Sequence, residues 1–542
     1  MMFLNNSQIV IDGDLHKRIH MNITRLDQTD YLPDNKFFMN VEWPGDWEGR
    51  ILLAMVNGAA ATGRIPVYYE EYLGRLTKLL TENGYMGPKI NDGSVNEQQL
   101  AGNSWLLRAL CDLYEWRGEQ HIYNLIKGMC ETLILPLRER IADYPVSEQE
   151  RGLAAGDGRA DGWIVCEANG WLCSSDTGCL FIMLDGATHA YSILHNPILK
   201  EVIETIISKF TEADLTASSY QTHASLTAAR GIMRFYFDTQ EEKYINIAKN
   251  VFCLYKSKGM TENHANINWF NRPDWTEPCA VIDSYMLACQ LFTATKDPSY
   301  IADAHNIYYN AILPAQRING GFGCDNCVGW RGAQALSMIM YDAYWCCTMR
   351  GGEGLSKAAR YTATQDKNGL YIINYHNAVV ITENITLRLE TEYPNNGYIR
   401  LETLSGNLVC VYMFVPPFAE NTAVLVNGKP VNINIENGFV CLPPLSKDNI
   451  VEFKFDIPLQ TVKCFTPING TVIKHGTLLL AKQLDDAYIS MPDTRGLTRI
   501  NDVDAVYKDN ADNIFKPLSC MTDLTEEEVK RVRMQFVFNA ER

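Results

Sequence analysis

Cys346 and Cys347 stand side by side, continued as Thr348-Met349-Arg350-Gly351-Gly352-Glu353-Gly354-Leu355-Ser356-Lys357, and Glu277-Pro278-Cys279 lies upstream. Adjacent cysteines do not easily close a disulfide with each other, so a functional Cys-Cys pair turns both sulfurs onto a shared third object. A metal ion is the simplest such object. Pro278 suits a first helical position, and around a helix start the side chains of Glu277 and Cys279 can face one point. Three thiolates and one carboxylate complete a tetrahedral zinc site, with Zn2+ as the expected cofactor. Two other readings fit the same residues. The chain has 16 cysteines, and a free cysteine commonly packs as a small buried hydrophobe. Cys324-Asp325-Asn326-Cys327 offers the better-known C-x-x-C ligand spacing, which with Cys346-Cys347 would make a purely structural zinc knot.

The elements that must position these residues are helical hairpins. Apolar residues recur at helical spacing in pairs of segments joined by short turns: 51–61 with 68–82, 104–116 with 121–133, 179–194 with 197–210, 224–236 with 242–256, and 280–294 with 299–313. A less regular sixth pair is 332–344 with 353–360. Self-similar hairpins read as a repeat architecture, and six of them can close into an (α/α)6 barrel, a helical toroid whose loops surround one central pocket. All ten tryptophans lie before Cys346, and indole faces in such a pocket suit the apolar C–H faces of sugars.

After about residue 360 the period changes to two, as in Thr386-Leu387-Arg388-Leu389-Glu390 and Val451-Glu452-Phe453-Lys454-Phe455. Asn-Gly, which favours the tight hairpin turn, recurs at Asn368-Gly369, Asn396-Gly397, Asn427-Gly428 and Asn437-Gly438. The expected fold is therefore multidomain α and β. An (α/α)6-barrel catalytic domain spans 1–360, with a stray strand around Ile9 and Ile11, and an antiparallel β-sandwich region of one or two sandwiches spans 361–542.

A formal net charge of −16 and a pI near 5.2 argue against a nucleic-acid partner or an anionic membrane, since both need concentrated Lys and Arg. No apolar run reaches membrane-span length. Met1-Met2-Phe3-Leu4-Asn5-Asn6-Ser7 lacks a basic and then apolar leader, so a cytoplasmic location and reduced thiols are expected. A neutral oligosaccharide or glycoside fits as substrate, and a homodimer as assembly.

In the order and spacing of Glu-x-Cys, Cys-Cys, Gly351, Glu353 and Lys357, the chain resembles the bacterial β-L-arabinofuranosidase group, glycoside hydrolase family 127 and its relative family 146. Many members carry another Cys two positions before the pair, where this chain has Tyr344. The resemblance implies a retaining exo-glycosidase with zinc on Glu277, Cys279, Cys346 and Cys347, and with Cys346 as nucleophile. Such an enzyme needs a proton donor for the leaving oxygen, and Glu262 lies about where the group places its acid/base. His223 matches a sugar-contacting His of relatives, and Trp47, Glu48 and Asn103 fall in stretches like the group's pocket loops. Two rival functions remain: a sugar epimerase or isomerase on a helical toroid, and a non-catalytic carbohydrate-binding protein with structural zinc. A phosphate-cradling role for Gly351-Gly352-Glu353-Gly354 is disfavoured, because no strand is expected to precede it.

Overall fold

The structure, a computed structural model, describes residues 1–90, 93–152, 162–406, 409–485, 487–501 and 503–539. Its long helices are α1 (Gly13–Leu26), α2 (Asp46–Thr62), α3 (Tyr69–Asn83), α4 (Glu97–Arg117), α5 (Gln120–Met129) and α6 (Met183–Leu194). They continue with α7 (Pro197–Glu212), α8 (Thr222–Thr239), α9 (Glu242–Lys258), α10 (Pro278–Thr295), α11 (Ser299–Ile307) and α12 (Cys347–Arg360). Helices α2, α4, α6, α8, α10 and α12 each pack on the next, and α12 returns to α2, closing the inner ring. Helix α10 shows why it is an inner helix: it is apolar almost all round and nearly every residue is buried. Outer helix α7 is one-sided, burying Val202, Ile203, Ile206, Ile207 and Phe210, with Asn196 capping its first amides and Pro197 in its first turn. The ring closes tightly because glycine stands at close approaches: a Cβ on Gly231 of α8 would lie 2.6 Å from the Leu184 carbonyl carbon of α6.

The sixth hairpin differs from expectation. Within 332–344 the chain forms the strand Ala335–Met340, paired with Cys324–Asp325 on one side and Arg533–Gln535 on the other. The outer helix beside α12 is instead α1, whose Leu15, Ile19, Ile23 and Leu26 form a buried stripe at helical spacing. Asp12 starts it by accepting the Gly13 N–H at 2.7 Å.

Beyond Arg360 the chain is β-rich and mainly antiparallel. In Ile385–Thr391 the alternate residues Ile385, Leu387 and Leu389 are buried, as the period of two requires. Asn427-Gly428 and Asn437-Gly438 have positive φ at both residues, the hairpin-turn conformation. The helical and β parts share strands: Met2–Phe3 pairs with Ala363–Asp366, and Ile9–Ile11 with Ala378–Ile381. No helix among the described residues is long and apolar enough to cross a membrane.

Candidate active site

Two neighbouring inner helices begin at the same place. Glu277 is the N-cap residue of α10, followed by Pro278 in its first turn, and Cys346 is the N-cap residue of α12. The Glu277 side chain makes no capping bond; Asn266 Oδ1 takes the Glu277 N–H at 2.7 Å, leaving the carboxylate to face the site. Cys279 and Cys347, buried in the first turns of their helices, bring their sulfurs to the same point. Cys279 Sγ lies 3.3 Å from Cys346 Sγ and 3.6 Å from Cys347 Sγ, and Cys346 Sγ lies 3.9 Å from Glu277 Oε1. One ligand atom from each of the four residues lies within 4.8 Å of every other. A tetrahedral ion with Zn–S near 2.3 Å separates its sulfurs by about 3.7 Å, so the donor set fits a single ion of that kind. Cys327 turns away, toward the Asn266 carbonyl at 3.8 Å, and Cys324 is buried beside the cluster without joining the four. The structural-knot arrangement is thus not the one that forms.

Charge around the sulfurs favours one thiolate. Hydrogen bonding from Cys279 and Cys347 holds the Cys346 thiol well below its ordinary range against the cost of burial, and Arg50 and His223 act in the same direction. Burial pushes the Cys279 thiol up. Arg50 reaches Cys279 Sγ at 3.6 Å while paired with Asp46 at 2.8 Å, and its guanidinium lies over Trp105. His223 sits behind Glu277, with Nδ1 3.3 Å from Glu277 Oε1 and Nε2 3.3 Å from Asp283 Oδ2. Its ring stacks on Trp105.

The cluster opens into a cavity of about 620 Å³. Six of the ten tryptophans line it: Trp43, Trp47, Trp163, Trp269, Trp275 and Trp345. His223 and Trp47 reach this cavity, but three other expected residues do not line it. Glu262 lies elsewhere: its backbone N–H bonds the Val328 carbonyl, and its Oε2 accepts from the Thr466 hydroxyl at 2.6 Å, so the carboxylate points into the β-rich part. Asn103 is fully buried and holds the Pro44 and Met86 carbonyls at 3.2 and 2.9 Å, bracing the turn that carries Trp43 and Asp46 into the cavity. Glu48 is buried in α2 beneath Phe38, whose N–H its Oε1 accepts at 2.9 Å. The residues sequence reasoning missed are Trp43, Arg50 and Asp176, which arrive from other parts of the ring with no motif to mark them.

Burial pushes the Glu48 carboxyl up to about 7, and its Oε2 has no partner. The folded pKa is raised, so the folded state binds more protons between the ordinary value and about 7, and stability falls as pH rises through that window. Glu48→Gln should flatten this dependence and gain on the order of 2 kcal/mol at pH 8. Urea unfolding at pH 5 and pH 8 checks it; an equal effect of the substitution at both pH values would refute the burial account.

Residues 221–360 match the family model described as β-L-arabinofuranosidase, GH127 catalytic domain. This stretch is similar to the GH127 catalytic domain. That domain is one of glycoside hydrolases, and its matched stretch starts beside His223 and ends with α12, so it contains all four clustered donors. The GH127 likeness in fold extends over the whole chain. A solved structure described as a glycoside hydrolase is 14% identical with a TM-score of 0.72, covering 100% of this chain and 98% of that one. A GH127 β-L-arabinofuranosidase from Geobacillus stearothermophilus T6 is 12% identical with a TM-score of 0.71, covering 98% of this chain and 100% of that one. Among curated proteins, none matches by sequence.

Proposed function

We propose that this protein is a retaining exo-acting β-L-arabinofuranosidase whose nucleophile is Cys346. The observation that carries the reading is the convergence of Glu277, Cys279, Cys346 and Cys347 at the floor of a tryptophan-lined cavity, inside the stretch that matches the GH127 catalytic domain. Of the three sulfurs, that of Cys346 belongs to the half-buried residue, while Cys279 and Cys347 are 0% and 2% exposed. Cys347 also borders the cavity, and the greater exposure of Cys346 is what supports it as the sulfur that meets the substrate. Its thiolate attacks the anomeric carbon as the glycosidic C–O bond breaks, and the leaving oxygen takes a proton. Water then displaces the sulfur, so two inversions give net retention. A cavity of this volume suits a terminal sugar better than the interior of a long polymer.

Glu277, Cys279, Cys346 and Cys347 would hold the zinc, which when bound keeps the thiols deprotonated at neutral pH. His223 stands between the Glu277 carboxylate and Asp283 at 3.3 Å from each, the position of a group that supports a metal-binding carboxylate. The test is elemental analysis combined with hydrolysis of an aryl β-L-arabinofuranoside. About one zinc per chain is expected, lost in Cys279→Ser and retained in Cys327→Ser. Zinc that survives Cys279→Ser but not Cys327→Ser would return the site to the structural-knot arrangement.

A further inference from the structure

With Glu262 turned into the β-rich part, the reaction lacks a proton donor. Four carboxyl side chains line the cavity: Glu42, Asp46, Asp176 and Glu277. Burial raises the Asp46 carboxyl too, but its Oδ1 is tied to the Arg50 guanidinium at 2.8 Å, which engages it away from a leaving group. Glu277 is committed to the sulfur cluster. Glu42 lies in the irregular segment before α2, just ahead of Trp43, and no described contact fixes its side chain.

Asp176 differs from all three. It follows the strand Trp171–Ser174, and its backbone is fixed on both sides: its N–H bonds Ser174 Oγ at 3.1 Å, and its carbonyl accepts the Cys179 N–H at 3.2 Å. Gly162 packs against the carboxyl so closely that a Cβ there would lie 3.4 Å from Asp176 Oδ2. Among the described residues no cation lies within ion-pair distance of it. The charged groups that bear on it are acidic, Glu277 and Cys346 across the cavity and Glu97 behind. Burial first, then Glu277 and Cys346, push its carboxyl up to about 8, so it carries a proton at neutral pH. A carboxylic acid kept protonated in this way is what general-acid catalysis at neutral pH requires.

We infer that Asp176 is the general acid/base of this site. The inference rests on the glycosidase reading above. In the first step the Cys346 sulfur forms a bond to the anomeric carbon, the C–O bond breaks, and the Asp176 proton passes to the leaving oxygen. In the second, the Asp176 carboxylate takes a proton from water as the water oxygen bonds the anomeric carbon. The C–S bond breaks and its electron pair returns to Cys346. Atoms and charges balance, and both groups end as they began.

The test compares wild type, Asp176→Asn and Glu262→Gln on two aryl β-L-arabinofuranosides, one with a dinitrophenyl and one with an unsubstituted phenyl leaving group. A dinitrophenolate departs without protonation, whereas a phenolate needs help. Asp176→Asn should lose on the order of 10²–10⁴ in kcat/KM on the phenyl glycoside and less than about tenfold on the dinitrophenyl one. Retained cleavage of the dinitrophenyl substrate also shows that the variant is folded. Azide, which attacks without a general base, should restore its slow second step and yield the glycosyl azide. Equal losses on both substrates, wild-type behaviour on both, or the same split in Glu262→Gln instead would each overturn the assignment. If wild type cleaves neither glycoside, the substrate reading itself fails; if it cleaves both and Asp176→Asn shows no split, only the role of Asp176 falls.

Discussion

Cys346→Ala is expected to abolish turnover, with kcat falling on the order of 10⁴-fold or more, while the chain stays folded. Deleting a nucleophile removes the step that splits one hard displacement into two easier ones, and no neighbouring group can substitute for it. Cys279 and Cys347 are more deeply buried than Cys346, so on the proposed reading neither takes over the attack. Cys346→Ser should be almost as inactive, because a serine hydroxyl is far less ionised than a thiol at neutral pH. A haloacetamide or epoxide shaped as an arabinofuranoside should label Cys346, read by peptide mass mapping. Labelling at Cys347, or substantial turnover in Cys346→Ala, would remove Cys346 from the role.

The site's core was legible in sequence because its signal is local. Pro278 inside the first turn of α10 and the Cys-Cys pair at the start of α12 are helix-terminus features, and a helix start fixes side-chain direction within a few residues. Glu262 misled for the complementary reason. Its distance along the chain from Glu277 suited an acid, but side-chain direction in a loop depends on what the loop packs against, here Val328 and Thr466. Asp176, Trp43 and Arg50 come from a turn after a strand, a loop and the second turn of α2, and only closure of the ring brings them to one cavity.

The same division holds for the fold. Five hairpins were readable because each pair of helices packs on its neighbour in sequence. The sixth was misplaced because α12 finds its outer partner at the other end of the chain. The stripe of Leu15, Ile19, Ile23 and Leu26 was there to be read, but nothing local joins it to α12.

The motif residues after Cys347 serve the ring's interior, and the largest expected effect on stability lies there. Glu353 accepts from Arg108 at 2.9 Å and pairs with Arg350, and Lys357 meets Asp112 at 3.0 Å, so α12 is tied to α4 by charges with almost no exposure. Asp283 of α10 links this network to the active site. One of its oxygens holds both Arg230 and Arg350, and the other takes the Thr227 hydroxyl at 2.7 Å and faces His223. Burial opposes its charge, but Arg350 and Arg230 outweigh burial and hold the carboxyl below the ordinary carboxylate range. Asp283→Asn keeps the shape and removes the charge, leaving Arg230 with Asp185 and Glu353 and Arg350 with Glu353, one buried carboxylate short for two guanidinium groups. Breaking a buried network in this way costs about 3–5 kcal/mol, to be read as a lower urea midpoint at pH 7. The lowered pKa means that this stabilisation is present above the unfolded value and is lost as pH falls through the folded one, so variant and wild type should converge toward acid. His223 would lose its acidic neighbour at the same time, and zinc retention should weaken along with stability. A cost below about 1 kcal/mol, or a gap between variant and wild type that widens toward acid, would show that Arg230 and Arg350 do not depend on Asp283.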